Sequence, residues 1–126
     1  MLIYLLDSAS QHHSWSVTEF KKCREKGPII LSDIVYAEFS IGMADKTATD
    51  KAIRELACER LRITDQALFN AGRAFKQYKD KGGTKGNVLP DFLIAAQAEN
   101  EQAPLLTGDQ RDFLALFPTL SVISPP

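Results

Sequence analysis

Met1-Leu2-Ile3-Tyr4-Leu5-Leu6-Asp7 opens the chain with six apolar residues in unbroken succession and then, abruptly, a carboxylate. A run without polar alternation fits a strand buried on both faces, the environment of a central strand in a parallel sheet. Asp7 stands where such a strand would leave the core. In open α/β sheets ligands gather beyond the carboxyl ends of the strands, where the chain direction divides. A carboxylate there is placed for chemistry if other acids join it.

Outward from this stretch, helical and strand-like segments alternate. The polar residues Ser8 to Ser14 form a loop, and Ser14 or Ser16 caps a helix over about Trp15–Lys26, whose inner face holds Trp15, Phe20 and Cys23. Gly27-Pro28 ends it, Ile29-Ile30-Leu31 is a second buried strand, and a helix follows over Ile34–Met43. Thr47 or Thr49 opens a third helix reaching about Cys58, and Leu61-Arg62-Ile63 is a short strand or an extended link. Thr64 caps a helix from Asp65 to about Lys81, with Ala67, Leu68, Ala71, Ala74, Phe75 and Tyr78 on its apolar face. Gly82 to Asn87 is a loop, and Pro90 suits the first turn of a helix from about Leu89 to Gln102. Pro104–Thr107 reads as a strand, Arg111–Phe117 as a short helix and Leu120–Ile123 as a last strand. This rhythm implies one α/β domain over residues 1–126, a mostly parallel sheet of four to five strands flanked by helices.

The totals set bounds. The 126 residues suffice for a core without staples, and the 44% apolar and 25% charged fractions are those of an ordinary globular protein. Fifteen basic and sixteen acidic residues give a net charge of −1, so overall charge does not advertise a nucleic-acid partner. Cys23 and Cys58 form no metal-binding spacing and read as reduced, packed thiols. No apolar run approaches membrane-spanning length, and the opening lacks the features of a signal peptide, which implies a cytoplasmic protein without a membrane partner.

Four acids stand out by position: Asp7 after the first strand, Glu38 within an otherwise apolar helix, Asp91 in a first helical turn, and Asp109 after a strand. Singly, Asp7, Asp91 and Asp109 can be turn or capping residues. Glu38 is harder to explain so, because a carboxylate amid apolar helix residues is either partly exposed or held by a partner. Together, such acids repel one another unless a cation neutralises them. Oxygen donors without His or Cys suit Mg²⁺ or Mn²⁺, which can activate water and screen the charge of a phosphodiester.

Four blocks, taken in order, resemble PIN-domain ribonucleases, and among them the VapC toxins of type II toxin–antitoxin systems. They are Leu5-Leu6-Asp7-Ser8, the run from Ile34 to Gly42 around Glu38, Gly82-Gly83-Thr84 followed by Leu89 to Ala98 around Asp91, and Leu105 to Phe113 around Asp109. The resemblance covers nearly the whole chain. It implies a PIN-like three-layer sandwich and a metal-dependent endoribonuclease in which Asp7, Glu38, Asp91 and Asp109 hold Mg²⁺ or Mn²⁺ and cut RNA. Ser8 and Thr107 would orient carboxylates or water. The implied partners are a VapB-like antitoxin that blocks the site and a second toxin copy in a homodimer.

Two positions depart from the family pattern. After Asp7 the chain reads Ser8-Ala9-Ser10-Gln11-His12-His13 where the family commonly has a polar residue followed by an apolar helical turn, and Gly108 stands where an Arg usually precedes the fourth acid. These departures keep open an alternative, a weakened or inactive PIN-like module that binds antitoxin or RNA. An unrelated α/β protein whose acids are only caps is a third reading. Smaller signals are His12-His13, which reads as a solvated pair rather than a metal site, and Asp112, a surface residue or a substitute for Asp109. Gly82–Asn87 lacks the order of a nucleotide-binding P-loop and instead suits an RNA approach, with Lys79, Lys81 and Lys85 meeting phosphates or merely solvating the surface. Lys21, Lys22, Arg24 and Lys26 read as a solvated helix face.

Overall fold

A computed structural model of the protein describes residues 2–4, 13–107 and 115–124. Within them the opening apolar run supplies β1 (Leu2–Tyr4), and α1 (His13–Lys26) leads to β2 (Ile29–Ser32). α2 (Asp33–Ser40), α3 (Lys46–Leu56), β3 (Cys58–Leu61), α4 (Asp65–Asp80), α5 (Leu89–Asn100), β4 (Leu105–Leu106) and β5 (Val122–Ile123) complete the order. The strands form one sheet in the order β3-β2-β1-β4-β5, and every described pairing is parallel. β1 is therefore central, as its lack of alternation requires. Ile3 is in register with Ile30 on one side and Leu105 on the other, and Tyr4 is paired with Leu106.

Helices cover both faces. Ile29 and Leu106 pack with Cys23, Trp15 and Phe20, so α1 closes one face with the inner stripe its sequence suggests. Ile30 and Leu105 pack with Val35 of α2, Ile53 of α3 and Ile94 and Ala98 of α5 on the other. α5 is enclosed almost all round, with Phe92 and every residue from Ile94 to Ala98 buried. Its outer side meets Ala67, Ala71 and Ala74 of α4, small side chains that let the two helices approach closely. Thr64 at the start of α4 accepts a hydrogen bond from Asn100 at the end of α5 (3.1 Å), so the pair is antiparallel. Phe75 and Tyr78 near the end of α4 consequently meet Phe92 edge to face, at 6.2 and 5.7 Å between ring centroids.

Several boundaries differ from the sequence-based expectation for local reasons. α2 stops at Ser40, not Met43, where Ser40 Oγ donates back to the carbonyl of Ala37. Asp45, not Thr47 or Thr49, caps α3: its carboxylate accepts from the amide of Ala48 (2.8 Å), while Thr49 is buried and bonds to the Asp45 carbonyl. Ala57, in the left-handed region at φ 54°, ends α3 before Cys58. The third strand is therefore Cys58–Leu61, with Leu61 as its last residue. Leu68 was expected on the apolar face of α4 but is exposed. The expected helix at Arg111–Phe117 lies mostly outside the described residues, which show a short 3₁₀ turn at 115–116.

Candidate active site

The sheet order fixes where a ligand crevice can form. From β1 the chain builds outward through β2 to β3, then returns across β1 to place β4 and β5 on the other side. The switch point lies between β1 and β4. Asp7 follows Tyr4, and Asp109 follows Leu106, each by three positions in sequence; both acids lie outside the described residues. So do Ser8, His12, Gly108 and Asp112, and the side chain of His13 is likewise undescribed.

Glu38 and Asp91 are described. Ser32, the last residue of β2 and fully buried, caps α2 by accepting from the amide of Ile34 (3.3 Å). α2 therefore starts at the carboxyl edge of the sheet. Val35 turns inward among Ile94 and Ala98 of α5, and Glu38, three residues on, shares that side of α2. It is exposed. α5 ends four residues before Leu105 begins β4, so it runs against the strand direction, with its first turn at the far end. Asp91 lies in that turn, half-buried, where the positive end of the helix favours a carboxylate. Asp91, Ile94 and Ala98 follow helical spacing along one stripe of α5, the stripe that packs with Val35. Glu38 thus lies one turn after Val35, and Asp91 one turn before Ile94, in two helices that pack into the same core cluster. Among the described residues no three His, Cys, Asp or Glu side chains are grouped to hold a metal ion, two of the four expected ligands being outside those residues.

A network on the opposite side of α2 holds its orientation. Tyr36 Oη donates to Asp50 Oδ1 (2.7 Å) and Lys46 Nζ to Asp50 Oδ2 (2.6 Å). The Arg60 guanidinium lies 4.1 Å from the centre of the Tyr36 ring and donates to Asp33 Oδ1 (2.6 Å). The hydrogen bonds from Lys46 and Tyr36 hold the Asp50 carboxyl below its ordinary value, and the same bonds raise the pKa of Tyr36 and of Lys46. Sequence reading missed this network. The Lys46–Asp50 spacing of one helical turn was a visible sign of it, but nothing local links either residue to Tyr36 or Arg60.

The glycine loop between α4 and α5 is tied down beside Asp91. The amide of Gly83 donates to the Tyr78 carbonyl (2.8 Å), the amide of Lys85 donates to Tyr78 Oη (3.0 Å), and Lys79 Nζ donates to the Lys85 carbonyl (3.2 Å). Gly82 takes a φ of 89°, and a Cβ on Gly83 would overlap the Tyr78 ring. Thr107 is buried immediately after β4, its amide donating to the Ile123 carbonyl (3.0 Å). The two thiols stand apart from this end. Cys23 packs with Ile29, the first residue of β2, Cys58 is the first residue of β3, and burial pushes both thiol pKa values up.

The PIN domain family model matches residues 1–116. The chain belongs to the PIN domain family. Solved structures similar to it come from VapBC toxin–antitoxin complexes, which supports the likeness to VapC toxins carried by its four motifs. One is VapBC2 from Rickettsia felis bound to a DNA fragment from its promoter, at 23% identity and a TM-score of 0.74, with 100% of each chain covered. Another is VapBC-1 from nontypeable Haemophilus influenzae, at 20% identity and a TM-score of 0.73, with 98% of each chain covered. VapBC-5 from Mycobacterium tuberculosis matches at 26% identity and a TM-score of 0.54, over 76% of this chain and 79% of that one. No curated protein matches the chain.

Proposed function

We propose that this PIN domain is a VapC-type toxin, an endoribonuclease that uses Mg²⁺ or Mn²⁺ bound by Asp7, Glu38, Asp91 and Asp109 and is restrained by a VapB-like antitoxin. The observation that supports the proposal is that Glu38 and Asp91 each lie one helical turn from Val35 and Ile94, residues of α2 and α5 buried in one core cluster. Covalent reach adds to it: Tyr4 and Leu106 are register partners, and three residues of chain span at most about 10 Å. The donor chemistry also fits a hard cation. Carboxylates, with the Ser32 and Thr107 hydroxyls at strand ends, serve this edge, whereas both thiols belong to the amino ends of β2 and β3.

When bound, such an ion supplies a water nucleophile active at neutral pH and screens the phosphodiester charge. The chain's own residues do the rest. Glu38 and Asp91 offer carboxylate oxygens from two rigid helices, and Thr107 offers a buried hydroxyl at the end of β4. The clamp on Tyr36 and Asp33 fixes the rotation of α2, so that Glu38 is presented rather than free to swing.

Cleavage of a fluorogenic single-stranded RNA in Mg²⁺ or Mn²⁺, against EDTA, tests the proposal. Asp91→Asn and Glu38→Gln should each lower the rate at least about a hundredfold while circular dichroism stays native. Metal-dependent cleavage undiminished in both variants would refute the assignment. The residues after Asp7 and at Gly108, which depart from the family pattern, favour a second reading, a PIN module that binds antitoxin or RNA without cutting. Intact RNA under every metal condition, with the antitoxin still bound, would select it. A cytoplasmic location and a homodimer belong to the same proposal.

A further inference from the structure

The outer face of α4, together with the glycine loop that follows it, carries an unusual balance of charge. Residues 65–88 hold five basic residues and two acids, Asp65 and Asp80, in a chain with fifteen basic and sixteen acidic residues overall. The rest of the protein is therefore left with ten cations and fourteen acids, and this segment is a basic island on an acidic body. Its cations are Arg73, Lys76, Lys79, Lys81 and Lys85, and all are exposed.

The island has an aromatic head. Ala67, Ala71 and Ala74 form the buried stripe of α4. Phe69, Arg73 and Lys76 each come two residues later, about 200° round the helix, and so line the opposite face. Phe69 is 58% exposed, unusual for so large an apolar side chain. The Arg73 guanidinium lies 5.1 Å from the centre of its ring. From Phe69 the stripe runs about 16 Å along the helix to Asp80, where Lys76 is paired at 3.1 Å, and then reaches Lys81 and Lys85 in the loop. Hydrogen bonds through Tyr78 hold that loop against the end of α4, and Tyr78 itself packs on Phe92, the neighbour of Asp91. The track therefore ends beside the acidic edge.

An exposed aromatic ring beside a guanidinium, followed by spaced cations, is the composition that binds a single nucleic-acid strand. The ring stacks a base, and the cations follow the phosphates. We propose that the outer face of α4 and the loop at Lys81 and Lys85 guide single-stranded RNA into the acid-lined edge, with Phe69 and Arg73 as the base platform. This deepens the ribonuclease reading and rests on it for the identity of the strand. The cations favour RNA over a protein occupant, although Leu68 beside Phe69 is also exposed and makes an apolar protein arm the competing outcome.

The test measures binding of a short unstructured fluorescein-labelled RNA by anisotropy in EDTA, where cleavage cannot interfere, at several salt concentrations. Phe69→Ala should weaken binding roughly tenfold with an unchanged salt slope, and Phe69→Tyr should restore it. Lys81→Ala combined with Lys85→Ala should reduce the slope of log K against log salt by about 1.4, the release expected for two phosphate contacts on a single strand. Unchanged affinity and slope in these variants overturn the proposal. It is likewise overturned if Phe69→Ala spares RNA binding but disrupts self-association or the complex with a co-expressed antitoxin. The two readings fail separately. Cleavage by wild type with unaltered binding in the variants sinks the track and spares the nuclease, whereas track-dependent binding without metal-dependent cleavage does the reverse.

Discussion

Gly83→Ala tests how the glycine loop is seated beside Asp91. A Cβ at this position overlaps the Tyr78 ring, while at Gly86, in the same loop, it meets nothing within 4 Å. The Tyr78 ring cannot withdraw freely, because it packs edge to face on Phe92 and its hydroxyl accepts from the Lys85 amide. Displacing it forfeits an aromatic pair worth about 0.5–1.5 kcal/mol and a hydrogen bond worth about 0.5–1.5 kcal/mol. The expected loss is thus about 1–3 kcal/mol, or roughly 4–12 °C in the thermal midpoint of a domain this size. Urea denaturation of wild type, Gly83→Ala and Gly86→Ala measures it, with Gly86→Ala expected within about 0.5 kcal/mol of wild type. In a Tyr78→Ala background the Gly83→Ala cost should fall close to zero, since the overlapping ring is gone. Equal stabilities for Gly83→Ala and Gly86→Ala, or a Gly83→Ala cost that survives in the Tyr78→Ala background, would refute the reasoning.

Three further outcomes follow from the packing around the site. Thr64→Ala removes the cap on α4, which accepts from the Ala67 amide and from Asn100 Nδ2, both at 3.1 Å; denaturant titration should show a loss of about 1–2 kcal/mol. Gln97 is fully buried, donates from Nε2 to the Leu61 carbonyl at 2.8 Å, and among the described residues its Oε1 has no partner. Gln97→Glu puts a carboxylate against that carbonyl, so it should cost about 3 kcal/mol or more at neutral pH, and the deficit should shrink as pH falls and the acid is neutralised. Asp50 has a carboxyl depressed by Lys46 and Tyr36, so its contribution is complete above its ordinary value of 3.8 and is lost as pH falls below it. The stability difference between wild type and Asp50→Asn should therefore be level through mildly acidic and neutral pH and close in strong acid; a difference that grows on acidification would contradict the network.

Much of the fold could be read from residues because burial leaves a plain mark. β1 is central, as six unalternating apolar residues require, and the Thr64 cap and the start of α5 at Leu89 stand where their chemistry indicates. β3 was misplaced for an equally physical reason. Cys58-Glu59-Arg60-Leu61 is an edge strand with two exposed charged residues, and its polar sequence resembles the end of a helix more than a strand. The left-handed Ala57 that separates α3 from β3 carries no glycine to announce it. At the site, Glu38 was conspicuous as a charge in an apolar helix. The contacts that orient its helix were not, because Tyr36, Asp50 and Arg60 come from three elements and meet only in the folded chain.

The same burial that hides β2 and α5 bears on where Glu38 and Asp91 stand. All four residues of β2 are buried, and α5 from Phe92 to Ala98 leaves only Leu93 partly exposed. Elements so enclosed carry carboxylates where they emerge, as α5 does with Asp91 in its first turn and Glu99 near its last. Glu38 belongs to the helix opened by the last residue of β2, and Asp91 to the first turn of α5. In a parallel sheet with antiparallel crossover helices, the start of α2 after β2 and the first turn of α5 lie on the side of the strands' carboxyl ends. The exclusion of charge from the core thus leaves Glu38 and Asp91 outside the buried middle of their elements. The Tyr36–Asp50 and Arg60–Asp33 contacts then tie α2, which carries Glu38, to α3 and β3.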